Sequence, residues 1–448
     1  MLPSPHCCRD SHIPTRQGAE RRSNPAKGCP GYEVAENRRS PDFLLYLGFM
    51  FELIPSGGIS SASGFLAGAV HAGIKNTDEL DLAILCSEVL CEADGVFTTN
   101  QIKSAPIILS RKHIAKGQAQ AVVVNSGYAN ACTARQGLID ALEMANLAAA
   151  KLCLSPEHIL VASTGVIGVP LPMDRIKTGI FKIKPTKRGG HDFCRAIMTT
   201  DTSPKEIAVQ VDSGGVEFTI GGAAKGAGMI HPNMATMLCF ITSDAVVSAQ
   251  FLPTALQKAV DCSFNMISID GDTSPSDCAF ILTNGLAGNK PIGFDNGDAF
   301  QEALNVVCTH LAKSIARDGE GATKLIEVAV QGAADQAEAR QAARTITSSS
   351  LVKAAIHGND PNWGRIVAAL GRSGATVSED KLDVYLNDVC VMKQGRPTSF
   401  SKQEMISAMH NSDEVLIKLC LNSGDRQATA WGCDLSEEYV TINSAYTT

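Results

Sequence analysis

The chain predicts a mixed α/β protein with a large buried core, and three observations carry that expectation. Of its 448 residues, 44% are hydrophobic and 19% charged, which is the balance of an ordinary globular chain. From Gly57 onward, short apolar runs of β type alternate with segments of helical periodicity. Two loops unusually rich in small and hydroxyl residues each follow one of the runs. A chain of this length has room for two or more structural units.

Taken in order, strands are expected at 119–125, 158–162, 237–242, 278–283, 325–330 and 415–421. Helices are expected at 138–152, 300–316 and 336–356. In the second of these, Leu304, Val307, Leu311 and Ile315 recur at the spacing of one helical face. The third follows a break at Gly332. Pattern alone leaves parallel and antiparallel pairing open.

The 39 basic and 46 acidic side chains give a net charge of -7, and no lysine- or arginine-rich block exists, so no nucleic-acid partner is expected. The longest apolar run, 43–51, is too short to cross a bilayer, and no membrane span is expected. The fifteen cysteines are scattered and form no C-x-x-C pairs. Cys86, Cys153, Cys239, Cys308 and Cys420 sit in apolar stretches and read as small buried hydrophobes in a reducing compartment, which makes a cytoplasmic protein the expectation. Ten histidines include no H-E-x-x-H spacing, and His231 is given no role as a base. No dinucleotide or P-loop register appears around Gly221–Gly228, so neither metal nor cofactor is expected.

Residues 1–49 stand apart: seven basic and five acidic side chains, several prolines and little periodicity. Those acids argue against a transit peptide. The segment reads as an unmatched extension, flexible or translated from a start upstream of Met50.

The most informative stretch is 225–238, Lys225-Gly226-Ala227-Gly228-Met229-Ile230-His231-Pro232-Asn233-Met234-Ala235-Thr236-Met237-Leu238. Thr236 follows a glycine-rich, proline-bearing turn and precedes an apolar run, so its hydroxyl sits at a loop-to-strand junction, where loops tend to carry chemistry. Two other loops, 125–133 and 163–168, follow strands and offer backbone N–H groups suited to an anionic oxygen.

Together with 95–100, 199–202, 268–277, 318–324, 360–365 and 443–448, these segments resemble the ArgJ family, the glutamate N-acetyltransferases also called ornithine acetyltransferases. The likeness runs over nearly all of residues 57–448 and departs at Tyr128, Ala134 and Pro275-Ser276. It implies a layered α/β sandwich of the ArgJ/DmpA-like type. It also implies self-cleavage between Ala235 and Thr236 into intertwined fragments, 50–235 and 236–448, assembled as α₂β₂.

A threonine hydroxyl needs a base, and the cut supplies one in the new α-amine of Thr236, an amine whose ordinary pKa lies near neutrality. Gly226, Gly228 and Pro232 are then expected to hold the scissile bond in a reactive turn. By resemblance Thr236 is the nucleophile, while Thr164 and Gly165 stabilise the oxyanion. The resemblance also implies that substrate is held by Thr199, with Thr200 and Thr202 left open in its place, and by Lys225, Thr236, Glu320, Asn443 and Thr448. Lys225 is expected to meet a carboxylate and Glu320 an ammonium group.

The implied reaction is ping-pong transfer of acetyl from N2-acetylornithine to glutamate, in arginine biosynthesis. Members divide into transfer-only enzymes and bifunctional ones that also take acetyl-CoA as a co-substrate, and the sequence leaves both open. The alternatives are a self-cleaving amidase or aminopeptidase that passes the acyl group to water, and an unprocessed binding protein. Asp360, Trp363 and Arg365 read as an ion pair and aromatic packing in a tight turn.

Overall fold

The computed structural model describes residues 43–46, 49–212, 215–231 and 237–445. Two sheets dominate it. The first holds β1 (Phe43–Tyr46), β2 (Phe49–Leu53), β3 (Phe65–Val70), β4 (Leu82–Phe97), β5 (Gln118–Tyr128), β6 (Ile159–Val166), β7 (Lys205–Asp212), β8 (Glu217–Lys225), β9 (Leu238–Ser243) and β11 (Cys278–Thr283). The second holds β10 (Ile267–Ser268), β12 (Leu325–Ala333), β13 (Asp383–Leu386), β14 (Val389–Lys393), β15 (Arg396–Pro397), β16 (Glu414–Cys420) and β17 (Arg426–Cys433). Eleven α-helices are described: α1 (Ala105–His113), α2 (Ala134–Leu152), α3 (Met173–Lys182), α4 (Gly190–Ile197), α5 (Phe251–Cys262), α6 (Asp298–Arg317), α7 (Gln336–Thr347), α8 (Ser350–His357), α9 (Trp363–Gly371), α10 (Lys402–His410) and α11 (Glu437–Ala445).

The central strands of the first sheet are apolar without alternation because both faces are covered. Along β4, Leu82, Ile84 and Cys86 face the cluster under α1, α2 and α3, while Ala83 and Leu85 face the α4 side. On β9, Leu238 and Phe240 take the α4 side, whereas Cys239 and Ile241 turn to a core built with α5 and α6. On α6, Leu304, Val307, Leu311 and Ile315 are all buried in that core, as the helical spacing predicts. The pairing is mixed: β5 with β6 and β9 with β11 are parallel, and the remaining pairs of this sheet are antiparallel. Its order is β1-β2-β7-β8-β9-β11-β4-β5-β6, so β9 and β11 lie between β8 and β4.

Several expectations need correction. The single helix expected at 336–356 is two, α7 and α8, separated where Ser348 and the extended Ser349 (ψ 112°) interrupt it. Serines compete with the helix ladder by bonding locally, and here Ser348 Oγ donates to the Thr345 carbonyl. The residues 125–128 and 163–166 do not follow their strands but belong to the ends of β5 and β6. Cys153 is exposed, because it occupies the left-handed C-cap of α2 (φ 58°), and Cys420 is only half-buried. Asp360 pairs with Lys402 at 3.6 Å, while Arg365 donates to the Leu351 carbonyl and Trp363 packs half-buried on the core. Residues 43–46, within the stretch read as an extension, run as β1 against β2; residues 1–42 lie outside the described residues.

Candidate active site

The site assembles where the ends of β5, β6 and β8 meet the starts of β9 and β11. In the parallel β5–β6 pair, Gly127 stands opposite Gly165, and both have positive φ (109° and 123°). A Cβ at Gly165 would lie 2.3 Å from the Gly127 carbonyl carbon, so only glycine permits this approach. Buried side chains brace the pair: Ser163 Oγ donates to Asn125 Oδ1 at 2.6 Å, and Ser126 Oγ donates to the Ala196 carbonyl at 2.6 Å. The hydroxyl of Thr164 points out of this frame and accepts from Lys225 Nζ at 3.3 Å.

Lys225 closes β8, pairs in register with Leu238 of β9 and is buried. Burial pushes its ammonium below the usual lysine range, with Asp201 pulling the other way. Asp201 is the hub behind it. Its Oδ1 accepts from Lys205 Nζ at 2.7 Å and from the Gly226 amide at 2.6 Å, and its Oδ2 accepts from the Thr199 amide at 2.9 Å. Burial raises this carboxyl, but Lys225 and Lys205 more than offset that and hold it well below the usual carboxylate range. Lys205 continues to Asp318 at 2.5 Å, which ties the 199–205 turn to the turn after α6.

That second turn presents Glu320. Its amide donates to the Ala227 carbonyl at 2.8 Å, and its buried carboxylate accepts from Asn443 Nδ2 at 2.7 Å. Gly228 leaves the room: a Cβ there would meet the Glu320 carboxylate at 2.4 Å. The chain is then clamped up to His231. Asp270 accepts from the amides of Met229 and Ile230 at 2.6 and 2.9 Å, and Thr273 Oγ1 donates to the His231 carbonyl at 2.9 Å. It is clamped again at Met237, whose carbonyl accepts from the Cys278 amide at 3.0 Å.

One cleft is lined by Thr164, Gly165, Thr199, Thr200, Lys225, Glu320 and Asn443, and Met237 and Asp277 are on its wall. Thr202 is not among the lining residues; its amide donates to Asp318 Oδ2 at 3.0 Å. Three expected site residues, Ala235, Thr236 and Thr448, lie outside the described residues, as does Pro232. Among the described residues no group of histidine, cysteine or carboxylate side chains has a metal-binding arrangement, and no helix is long and apolar enough to cross a membrane.

Two features escaped the sequence reading. Asp201 and Asp277 stand in hydroxyl-rich stretches that look like turns, and only the fold buries them beside Lys225. His231 is half-buried between Ser268 Oγ and Arg344, and burial, with Arg344 adding to it, lowers its ring below the usual histidine range.

A mixed α/β scaffold here places a cationic and an anionic side chain on one cleft, at a glycine-braced pair of strand ends, an arrangement with the charges to complement a small zwitterion. The profile of the ArgJ family matches residues 66–448, and the chain belongs to that family. It is 54% identical over 401 residues to the arginine biosynthesis bifunctional protein ArgJ of Dehalococcoides mccartyi, covering 89% of this chain and 99% of that protein. It is 52% identical to the protein of the same name from Symbiobacterium thermophilum, covering 88% and 99%. Among solved structures, the Bacillus halodurans arginine biosynthesis bifunctional protein ArgJ matches at 45% identity, covering 47% of this chain and 100% of that one, with a TM-score of 0.46. The ornithine acetyltransferase of Mycobacterium tuberculosis, solved with ornithine, matches at 38% identity, covering 42% and 99%, with a TM-score of 0.39.

Proposed function

We propose that this chain is a glutamate N-acetyltransferase that moves acetyl from N2-acetylornithine to glutamate through an acetyl-threonine on Thr236. The observation that carries the reading is the placement of Lys225, Glu320 and Thr164 on one cleft, beside Met237, the residue that follows Thr236. Cleavage of the Ala235–Thr236 bond frees an α-amine on the nucleophile's own residue, so base and hydroxyl need little further ordering. Thr236 attacks the acetyl carbonyl, and the amine takes its proton and returns it to the departing ornithine. Glutamate then attacks the ester by the reverse path.

Each half-reaction passes a tetrahedral oxyanion, for which the Thr164 hydroxyl and the Gly165 amide serve as donors. Lys225 meets the substrate α-carboxylate and Glu320 its ammonium group, with Thr199, Asn443 and Thr448 adding hydrogen bonds. The relatives' name, bifunctional, supports acetyl-CoA as a second acetyl donor to glutamate. No other cofactor is invoked. The cleaved protein is assigned two copies of each fragment, 50–235 and 236–448, and a cytoplasmic location.

The test is intact mass of the purified protein beside Thr236→Ala, together with acetyl transfer from N2-acetylornithine to glutamate. Two fragments, the second beginning Thr-Met-Leu, and transfer to glutamate are expected of the native chain, with one uncut, inactive chain for the variant. An uncut native chain removes the mechanism. Release of acetate without N-acetylglutamate replaces transfer by hydrolysis.

A further inference from the structure

Asp277 directly precedes β11, and its side chain is buried on the cleft wall with 4% of the residue exposed. Its carboxyl bonds to Ser274, yet Oδ2 has no hydrogen-bond partner among the described residues. Neither has Oγ of the adjacent Ser276, equally buried and on the same wall. An unpaired buried polar atom is destabilising, so two of them side by side on a cleft are costly unless a ligand completes them. The backbone fixes both in place: the Asp277 carbonyl accepts from the Thr98 amide at 3.0 Å, and Cys278 is held to Met237. Their wall therefore stands next to the strand that begins just after Thr236.

We propose that Asp277 and Ser276 form a further polar subsite of this cleft, in which Asp277 Oδ2 carries a proton and donates it in a hydrogen bond to a carbonyl or carboxylate oxygen of the bound N-acyl amino acid. The subsite rests on the acyl-transfer reading above. Burial pushes the Asp277 carboxyl well above the usual range, and the opposing pull of Lys225 from β8 and of Ser274 does not offset it. The other groups around it are Glu320 across the same cleft and Cys278 beside it, whose thiol burial also pushes up. A neutral carboxyl next to Lys225 leaves that cation free for the substrate's own carboxylate. Asp277 supplies a donor where a second cation would repel Lys225.

The experiment measures kcat and KM for acetyl transfer from N2-acetylornithine to glutamate, from neutral to alkaline pH, in native protein, Asp277→Asn, Asp277→Ala and Ser276→Ala, each with its thermal melt. Asparagine keeps a donor that cannot ionise, so KM at neutral pH stays within about threefold, and the alkaline rise in KM shrinks to the part that loss of the Lys225 charge contributes. Alanine at 277 raises KM by about tenfold or more, and Ser276→Ala raises it by several fold. A folded Asp277→Ala with native KM overturns the subsite, and so does an Asp277→Asn as impaired as the alanine variant. If neither 277 variant folds, an unchanged KM in Ser276→Ala overturns it. A native enzyme without any acetyl transfer sinks the parent reading instead.

Discussion

Asn443, on the surface helix α11, donates from Nδ2 to Glu320 Oε2 at 2.7 Å and so ties the end of the described chain to the cleft. The contact exists because α11 starts hard against the 319–321 turn, where a Cβ at Gly321 would lie 2.6 Å from the Tyr439 amide. Replacing Asn443 by alanine removes a donor to a buried carboxylate. A hydrogen bond to a charged group contributes about 1.5–3 kcal/mol, so KM for the ammonium-bearing substrate should rise about tenfold or more. The melting temperature should fall as well, because the buried Glu320 carboxylate is left one donor short. Steady-state kinetics beside a thermal melt decides it.

Thr164→Ala removes one hydroxyl from the cleft and leaves the β5–β6 brace of Asn125, Ser126 and Ser163 intact. Losing one oxyanion donor typically lowers kcat by about 10² to 10³. Unchanged turnover in a folded variant would take Thr164 out of the chemistry.

Gly165→Ala should act on the fold itself. The residue sits at φ 123°, and a Cβ would collide with the Gly127 backbone. Strain of this kind costs about 1–3 kcal/mol, and more if the strands part. Denaturant unfolding of the alanine variant should show the loss, and activity should fall with it.

The Asp201–Lys205–Asp318 cluster makes stability depend on acid. The Asp201 carboxyl is held below its unfolded value, so its ion pairs contribute fully above the ordinary aspartate range and are lost as pH falls through the folded value. Native stability should therefore decline from about pH 4 downward. Asp201→Asn should lose about 3–5 kcal/mol at neutral pH, because Lys205 keeps its burial but loses a partner, and its acid decline should be shallower. Urea unfolding across that pH range checks both.

Strands β5, β6, β9 and β11, buried on both faces, were legible in the sequence because each carries an apolar run, and α6 because its four core positions fall on one face. Strands β4 and β8, buried in the same way, were not read from it. The division between α7 and α8 was not legible either, since a run of serines weakens a helix without forbidding it. The cleft residues Thr164, Lys225 and Glu320 stand in recognisable motifs, whereas nothing local marks Asp277 or Asp201 as buried. An aspartate among serines and threonines reads as a turn, and its burial is decided by strands brought from elsewhere in the chain. Cys153 was misplaced for the opposite reason: its neighbours are apolar, but its left-handed cap turns it outward.

The position of β9 and β11 between β8 and β4 has a thermodynamic consequence. A chain cut before Thr236 would contribute β1–β8 from one piece and β9 and β11 from the other to the same ladder of hydrogen bonds. Neither piece alone closes that ladder, so melting the cut protein is a dissociation and its melting temperature should climb with concentration. Refolding would become a second-order reaction, in which the cut protein has to find its other half, whereas the uncut Thr236→Ala chain would refold at a rate independent of how much of it is present.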